Sequence, residues 1–213
     1  PVTCIDEDAF SGCGRLTEIS IPESITDIGL DAFSDCRSVS EVHIASISAW
    51  CSVTLWNEDS SPFAHSRSAA LIINGETVTE VKIPDGITEI KSYAFCGCTA
   101  LTSARLPDEL TSLGGSAFYG CAALQTVYIP SGITRLASGT FRDCTVLNKA
   151  VILPGVETID SYAFQNCPEL TIYGYEGSYA QEYAAVKGFG FEIYDPNALP
   201  TVTMTVLDDN GNS

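Results

Sequence analysis

The chain has 213 residues, of which 45% are hydrophobic and 17% are charged, and its formal net charge is −17 at pH 7. This composition is typical of an ordered protein. The excess of acidic residues argues against binding to nucleic acid or to an anionic membrane, because neutralising phosphates requires a basic stripe. No run of 18 apolar residues occurs, so the sequence predicts no membrane insertion.

A phenylalanine followed three residues later by a cysteine recurs along the chain, mostly at an interval of 23 residues. The six pairs are Phe10 and Cys13, Phe33 and Cys36, Phe95 and Cys98, Phe118 and Cys121, Phe141 and Cys144, and Phe164 and Cys167. Repetition at this period predicts coils that stack along an axis. We therefore predict one repeat domain over residues 1–194.

Each repeat contains a short strand. In residues 117–139, Val127 and Ile129 alternate with Tyr128, as expected for a strand with one buried face. Pro130 ends this strand because proline cannot donate a ladder hydrogen bond.

The rest of the repeat contains a second apolar edge, at Ile133 and Leu136, and a corner, Ala-Phe-x-x-Cys, spaced like one helical or 3₁₀ turn. The fold class predicted is a β-rich α/β solenoid. It is a right-handed leucine-rich-repeat stack of about seven coils, with short corner helices and a C-terminal cap.

Residues 45–77 interrupt the period. Phe33 and Phe95 lie 62 residues apart, where two repeats would give 46. Within the interruption, Phe63 is the expected degenerate corner, and Asn74-Gly75 predicts a hairpin turn. One interpretation is a local cover over the edge of the stack.

The alternative is a loop that shapes a binding site. Trp50 and Trp56 lie in the interruption, and tryptophan is enriched at binding hot spots. Both residues are therefore candidate binding residues.

Residues 172–194 are predicted to cap the stack, since the last coil of a solenoid needs a cover. Ser178 and Gln181 match a capping box that precedes a helix over residues 179–187. Residues 189–194 then predict a closing strand.

Residues 195–213 predict a linker and the start of a truncated following segment, with a strand over residues 202–207. The turn Asp208-Asp209-Asn210-Gly211 lacks the distant glutamate of an EF-hand, so we do not predict a calcium loop.

Three patterns carry a family resemblance: Leu-x-x-Val/Ile-x-Ile-Pro, Ile-Thr-x-Ile and Ala-Phe-x-x-Cys. Together they resemble the BspA-like leucine-rich repeat family of bacterial surface proteins, over residues 1 to about 194. The resemblance implies secretion or surface display. It also implies adhesion to host extracellular or cell-surface proteins, and to glycans.

The cysteine ladder is predicted to be packing, because a buried free cysteine behaves as a small apolar residue. Cys4, Cys51 and Cys96 lie outside the ladder, and Cys96 aligns with a position expected to face outward. No Cys-His cluster has zinc spacing, so we predict no metal and no cofactor.

The chain has two histidines, His43 and His65, and no nucleophile elbow, P-loop or dinucleotide fingerprint. We therefore predict no catalytic residues and no enzyme activity.

The outward strand positions form two columns. The first contains Ser20, His43, Lys82, Arg105, Tyr128 and Val151. The second contains Glu18, Glu41, Glu80, Ser103, Thr126 and Lys149. Cross-strand charge pairing explains such columns in a purely structural way. The functional hypothesis is a binding surface at Ser20, His43, Lys82, Arg105 and Tyr128, together with the two tryptophans.

The function predicted is a non-catalytic protein-binding or adhesion module that acts through the exposed solenoid face. The sequence does not define the oligomeric state, and a monomer is favoured. The alternative is a passive spacer that presents a downstream domain. A carbohydrate-active enzyme is the least favoured hypothesis, since it requires a cleft with paired carboxylates.

Overall fold

A computed structural model describes residues 1–66 and 69–197 as a solenoid of about eight turns of parallel strands. This confirms the predicted fold class, with one turn more than the predicted seven. The predicted linker and strand beyond residue 197 lie outside the described residues.

The strands in chain order are β1 Cys4–Ile5, β2 Glu18–Ile21, β3 Asp27–Ile28, β4 Glu41–Ile44, β5 Thr54–Leu55, β6 Ala70–Ile73, β7 Glu76–Thr77, β8 Glu80–Lys82, β9 Glu89–Ile90, β10 Ser103–Arg105, β11 Ser112–Leu113, β12 Thr126–Ile129, β13 Arg135–Leu136, β14 Lys149–Ile152, β15 Thr158–Ile159, β16 Thr171–Gly174 and β17 Gly190–Ile193. The helices are α1 Ile47–Cys51 and α2 Tyr179–Lys187, with a 3₁₀ turn at Glu58–Ser60.

The longer strands of each coil pair in parallel on one side of the stack. They form two sheets, in the orders β2-β4-β6-β7 and β8-β10-β12-β14-β16-β17. Val127 pairs with Ala104 on one side and with Ala150 on the other, so equivalent residues of successive repeats are in register. The shorter strands form three further small sheets along the apolar edge predicted at Ile133 and Leu136.

The phenylalanines form a column of stacked rings inside the stack. The ring of Phe118 lies 5.1 Å from that of Phe95 and 5.5 Å from that of Phe141, with nearly parallel planes. Phe141 and Phe164 continue the column at 5.3 Å. Offset stacking of this kind adds to the gain from burying apolar area.

The corners are turns, and the predicted corner helices are wrong. Ser116 and Gly120 both have positive φ, at 54° and 70°, on either side of Phe118. Left-handed residues interrupt a helix, and here they direct backbone N–H groups along the stack. The N–H of Phe118 donates to the carbonyl of Thr140 at 2.9 Å, so successive corners are hydrogen-bonded to one another.

Four of the six ladder cysteines donate hydrogen bonds as well as filling space: Cys36, Cys121, Cys144 and Cys167. Cys121 Sγ donates to the carbonyl of Phe95 at 3.1 Å, and Cys144 Sγ donates to that of Phe118 at 3.2 Å. Each of these thiols is a second donor to a carbonyl that already accepts from the backbone N–H three residues further along its own coil, and it links that coil to the next. Alanine could not make this link.

Thiol accessibility gives the first testable prediction. All nine cysteines are free, and only Cys4 and Cys13 are exposed. Burial raises the pKa of Cys51 to about 12, which suppresses the reactive thiolate. We expect two thiols to react rapidly with a thiol reagent in the native protein, and all nine after denaturation. Recovery of only one to three thiols after denaturation would contradict this structure.

Cys96 does not face outward as predicted, because it is only 1% exposed. Residues 45–77, which interrupt the repeat and which we call the irregular coil, help to cover Cys96. Ser61 Oγ donates a hydrogen bond to the carbonyl of Cys96 at 3.0 Å. The backbone of the irregular coil lies very close to the backbone at Gly97, since a Cβ placed on Gly97 would lie 2.5 Å from the carbonyl oxygen of Phe63.

The interruption contributes two local elements. Helix α1 lies between Phe33 and Phe63, and strands β6 and β7 form an antiparallel hairpin between Phe63 and Phe95. The hairpin turn is at Asn74 and Gly75, with φ of 53° and 80°, as its Asn-Gly signal predicts. Among the described residues, β8 pairs only with β10, so the long-strand side is divided after β7.

The C-terminal helix is confirmed at its predicted bounds. Ser178 Oγ accepts a hydrogen bond from the N–H of Gln181, and Gly188 ends the helix with φ of 77°. Tyr183 packs 6.2 Å from the ring of Phe164, the last member of the phenylalanine column. Strand β17 then pairs in parallel with β16.

Candidate binding face

The strand registers place the predicted outward column on one side of the molecule, which we call the binding face. Ser20 pairs with His43, and Lys82 pairs with Arg105, which in turn pairs with Tyr128. Neighbouring strands lie about 4.8 Å apart, so these side chains are regularly spaced. The structure brings the five predicted strand residues onto one face but divides them between two sheets.

The N-terminal part of the binding face is acidic. Its outward residues on β2 and β4 are Glu18, Ser20, Glu41 and His43. His43 Nε2 lies 3.3 Å from Glu18 Oε1 and 3.1 Å from Glu41 Oε2. The ladder places Glu18 directly opposite Glu41, and the imidazole of His43 lies between their carboxylates.

The C-terminal part carries a group that we call the basic tyrosine patch, formed by Lys82, Arg105, Tyr128, Lys149 and Tyr173. Lys149 Nζ lies 4.5 Å from the centre of the Tyr173 ring, a cation–π contact. Within the described ranges, none of its three cations has a carboxylate oxygen within 4.0 Å. Charge pairing therefore does not account for this half of the face.

A shallow depression of about 320 Å³ lies on the patch. Its polar lining comes from Ser103, Arg105, Thr126, Tyr128 and Lys149. Burial and the neighbouring Tyr194 raise the pKa of Tyr128 to about 12, so its hydroxyl stays protonated at neutral pH. The depression thus offers hydrogen-bond donors and positive charge beside an aromatic ring.

Val151 lies in the predicted outward column but is only 5% exposed. Its partners in the strand ladder are Tyr128 and Tyr173, whose larger side chains flank it. Val151 is therefore the apolar floor of the patch and not a separate contact point.

Sequence reasoning missed Tyr173 and Tyr194. Tyr173 pairs with Val151 and so continues the column, and the Tyr194 ring lies 6.2 Å from that of Tyr128. The repeat period indicated Tyr173 only weakly, because Tyr173 follows Val151 by 22 residues and not by 23. Tyr194 comes from the cap, outside the repeat pattern.

The two tryptophans do not join the patch. Trp50 is 2% exposed, and its Nε1 donates to the carbonyl of Ala94 at 2.6 Å, so we withdraw it as a contact residue. Trp56 is 62% exposed, but it follows β5, which belongs to a different sheet from the binding face.

The irregular coil contributes Glu58 to a second, smaller depression of about 170 Å³. Its other lining residues include Tyr119, Arg142 and Tyr162. The Arg142 guanidinium lies 5.5 Å from the centre of the Tyr119 ring. Burial and the nearby Asp59 raise the pKa of Glu58. This geometry is compatible with the hypothesis that the irregular coil shapes a site, but it lies at the corners, away from the binding face.

No catalytic arrangement is evident in the part of the chain that the structure describes. His65 Nε2 lies 2.7 Å from Asp59 Oδ1, and His43 contacts only the two glutamates. Neither ring has a hydroxyl or thiol partner that could serve as a nucleophile in these residues. The absence of enzyme activity stays a prediction. Among the same residues, no helix combines the length and apolarity that crossing a membrane requires.

Comparison with solved structures shows similar stacks in bacterial proteins. A leucine rich cell surface protein from Faecalibacterium prausnitzii is 26% identical, with a TM-score of 0.52, over 79% of this chain and 56% of that one. This chain therefore spans little more than half of that protein's length. A leucine rich repeat protein from T. pallidum is 21% identical over 90% of this chain and 79% of that one, with a TM-score of 0.38. One from Bacteroides ovatus is 20% identical over 81% and 59%, with a TM-score of 0.37.

The stacked parallel strands, the repeat corner and the open face define a leucine-rich repeat protein, a class whose members typically bind other proteins and are generally not enzymes. The profile of the BspA type leucine rich repeat region matches residues 1–55 and 73–181 in six copies. The chain belongs to the BspA-type leucine-rich repeat family, as the sequence motifs predicted. A search of functionally curated proteins found no match.

Proposed function

We propose that this chain is a non-catalytic protein-binding module of a secreted or cell-surface bacterial protein, and that it binds through the basic tyrosine patch. The observation that supports this is a cluster of three cations beside tyrosines on a chain of net charge −17, and none of the three cations pairs with a carboxylate of residues 1–66 or 69–197. Tyrosine and arginine are enriched at the energetic centres of interfaces. The similarity to a leucine rich cell surface protein supports the location.

The charge of the patch indicates the chemistry of the partner. Lys82, Arg105 and Lys149 would meet an acidic surface, while the Tyr128 ring offers apolar contact. Host extracellular or cell-surface proteins with acidic segments fit this combination, as do acidic glycans. Because the rest of the protein is acidic, attraction would be local and weakened by salt.

A binding array of extracellular matrix proteins and glycans tests the proposal. We expect Arg105→Ala to weaken capture of the partner by about tenfold or more, as for a hot-spot arginine. Arg135→Ala is the matched control, since Arg135 is exposed on β13 and lies on another sheet. We expect it to change binding by less than about twofold.

Two results would contradict the proposal. The first is no capture above background by a wild-type sample shown to be folded. The second is an equal loss of binding for Arg105→Ala and Arg135→Ala, which would indicate general electrostatics in place of a defined patch.

The spacer hypothesis has one supporting observation, since this chain covers only 56% of the similar F. prausnitzii protein. A repeat stack that presents a neighbouring domain needs no ligand of its own. In that case a fragment containing the neighbouring domain without the repeats would keep all binding.

A further inference from the structure

A cluster of three potential metal ligands lies on the N-terminal part of the binding face. Its members are Glu18, Glu41 and His43, one ligand atom from each of which lies within 4.8 Å of the other two. Among residues 1–66 and 69–197 it is the one group of three or more such side chains with this spacing. No sequence motif indicates this cluster, because the spacing of its three residues matches no zinc motif.

Two of the three ligand–ligand distances come close to those within a metal coordination shell. Zinc lies about 2.0–2.2 Å from nitrogen and oxygen ligands, so two ligands of a tetrahedral ion are about 3.3–3.6 Å apart. His43 Nε2 lies 3.3 Å from the Glu18 oxygen and 3.1 Å from the Glu41 oxygen. An ion could therefore enter after small side-chain rotations.

The backbone holds the three residues in place. Glu18 pairs directly with Glu41 in the parallel ladder of β2 and β4, and His43 pairs with Ser20 one position along. Ligands on hydrogen-bonded strands are positioned more rigidly than ligands on loops.

The local charge also favours a cation. Two carboxylates flank one imidazole, and no Lys or Arg nitrogen in the described residues lies within 4.0 Å of either carboxylate. Like charges held this close repel each other, and a bound divalent ion would remove that repulsion.

We propose that Glu18, Glu41 and His43 form a binding site for a divalent ion of the zinc type. Two oxygens and an imidazole nitrogen suit Zn²⁺, whereas Ca²⁺ takes six to eight oxygen ligands. The three ligands leave a fourth position open on the binding face. A carboxylate or imidazole of a partner protein can complete the coordination there.

The chain has only two histidines, which makes a direct measurement possible. In ¹⁵N NMR of the histidine rings, we expect one equivalent of Zn²⁺ to shift the Nε2 signal of His43 and to leave that of His65 unchanged. Assignment follows from His43→Gln and His65→Gln. Exposed Cys4 and Cys13 are replaced by serine in all samples, so that their thiols do not compete for zinc.

Calorimetric titration of the same samples separates this site from weak general binding. We expect Glu41→Gln to weaken Zn²⁺ affinity by at least about tenfold, since even residues that only support ligands contribute that much. His65→Gln is the matched control, because His65 contacts one carboxylate, Asp59, at 2.7 Å. It should titrate like the parent protein.

Three results would overturn the proposal: a His43 signal that does not move with excess Zn²⁺, equal shifts of both rings, or equal affinities for Glu41→Gln and the parent. Glu41, Cys4 and Cys13 are exposed and the two histidines are partly exposed. An unchanged melting curve verifies the fold of each variant. The test does not involve the basic tyrosine patch, so its failure would leave the proposed binding function standing.

Discussion

Replacing Phe118 by alanine is expected to destabilise the protein by about 3–5 kcal/mol, the usual cost of removing a buried phenylalanine ring. Phe118 is fully buried between the rings of Phe95 and Phe141. The neighbouring coils cannot close the cavity, because the strand ladders fix their spacing. Urea unfolding followed by circular dichroism measures the loss.

Phe10→Ala is the matched control for this experiment. Phe10 stacks on Phe33 at 5.2 Å but is 37% exposed. Removing the Phe10 ring gives up less buried apolar area and leaves less of a cavity, so Phe10→Ala should lower the free energy of unfolding clearly less than Phe118→Ala does. An unchanged melting curve for Phe118→Ala, or equal losses for both variants, would mean that the ring column does not stabilise the stack.

Trp50→Ala is expected to have an effect of similar size, about 3–5 kcal/mol. The Trp50 ring lies edge-on to Phe63 at 6.1 Å, and its Nε1 satisfies the carbonyl of Ala94. Removal leaves both a cavity and an unpaired buried carbonyl. Because this contact joins the irregular coil to the following repeat, the cooperativity of urea unfolding should fall as well.

Trp56→Ala provides the comparison, since it removes the same side chain from a site that is 62% exposed. Its effect should stay within about 0.5 kcal/mol, as for most surface substitutions. If Trp56→Ala proved the more destabilising of the two, the assignment of Trp50 to the core would be wrong.

The regular part of the fold could be predicted because it depends on local pattern. Val127, Ile129 and Pro130 specify a strand, its buried face and its end without reference to the rest of the chain. Repetition then fixes the register, since each coil can stack only with equivalent residues aligned. Helix α2 was predictable for the same reason, as Ser178 and Gly188 mark both of its ends locally.

The remaining features depend on contacts between distant segments. Trp50 is buried by Ala94 and Phe63, and Cys96 is covered near Ser61, none of which the repeat pattern places.

Each corner has a left-handed residue directly before its ladder cysteine, and this residue is always glycine, aspartate or asparagine, the types that favour positive φ. This signal was present in the sequence, whereas the earlier left-handed residue of a corner varies, with tyrosine at Tyr93 and serine at Ser116.

The candidate sites were predictable to a lesser degree. The columns containing Lys82, Arg105 and Tyr128 follow from the period alone. The burial of Val151 depends on the sizes of its two neighbours, and the contact of Tyr194 depends on how the cap folds back. The convergence of Glu18 and His43 depends on side-chain rotamers, which the strand pattern does not specify.

The division of the long-strand side after β7 has a consequence for how a partner could lie on the molecule. One sheet presents Glu18 and Glu41, and the other presents Lys82, Arg105 and Lys149 between Glu80 and Glu192 on its outer strands. The charge is therefore uneven along the stack, acidic on the first sheet and basic at the centre of the second. Because complementary charges fix the orientation of a complex, an elongated partner that touched both sheets would have to run one way along the stack and not the other.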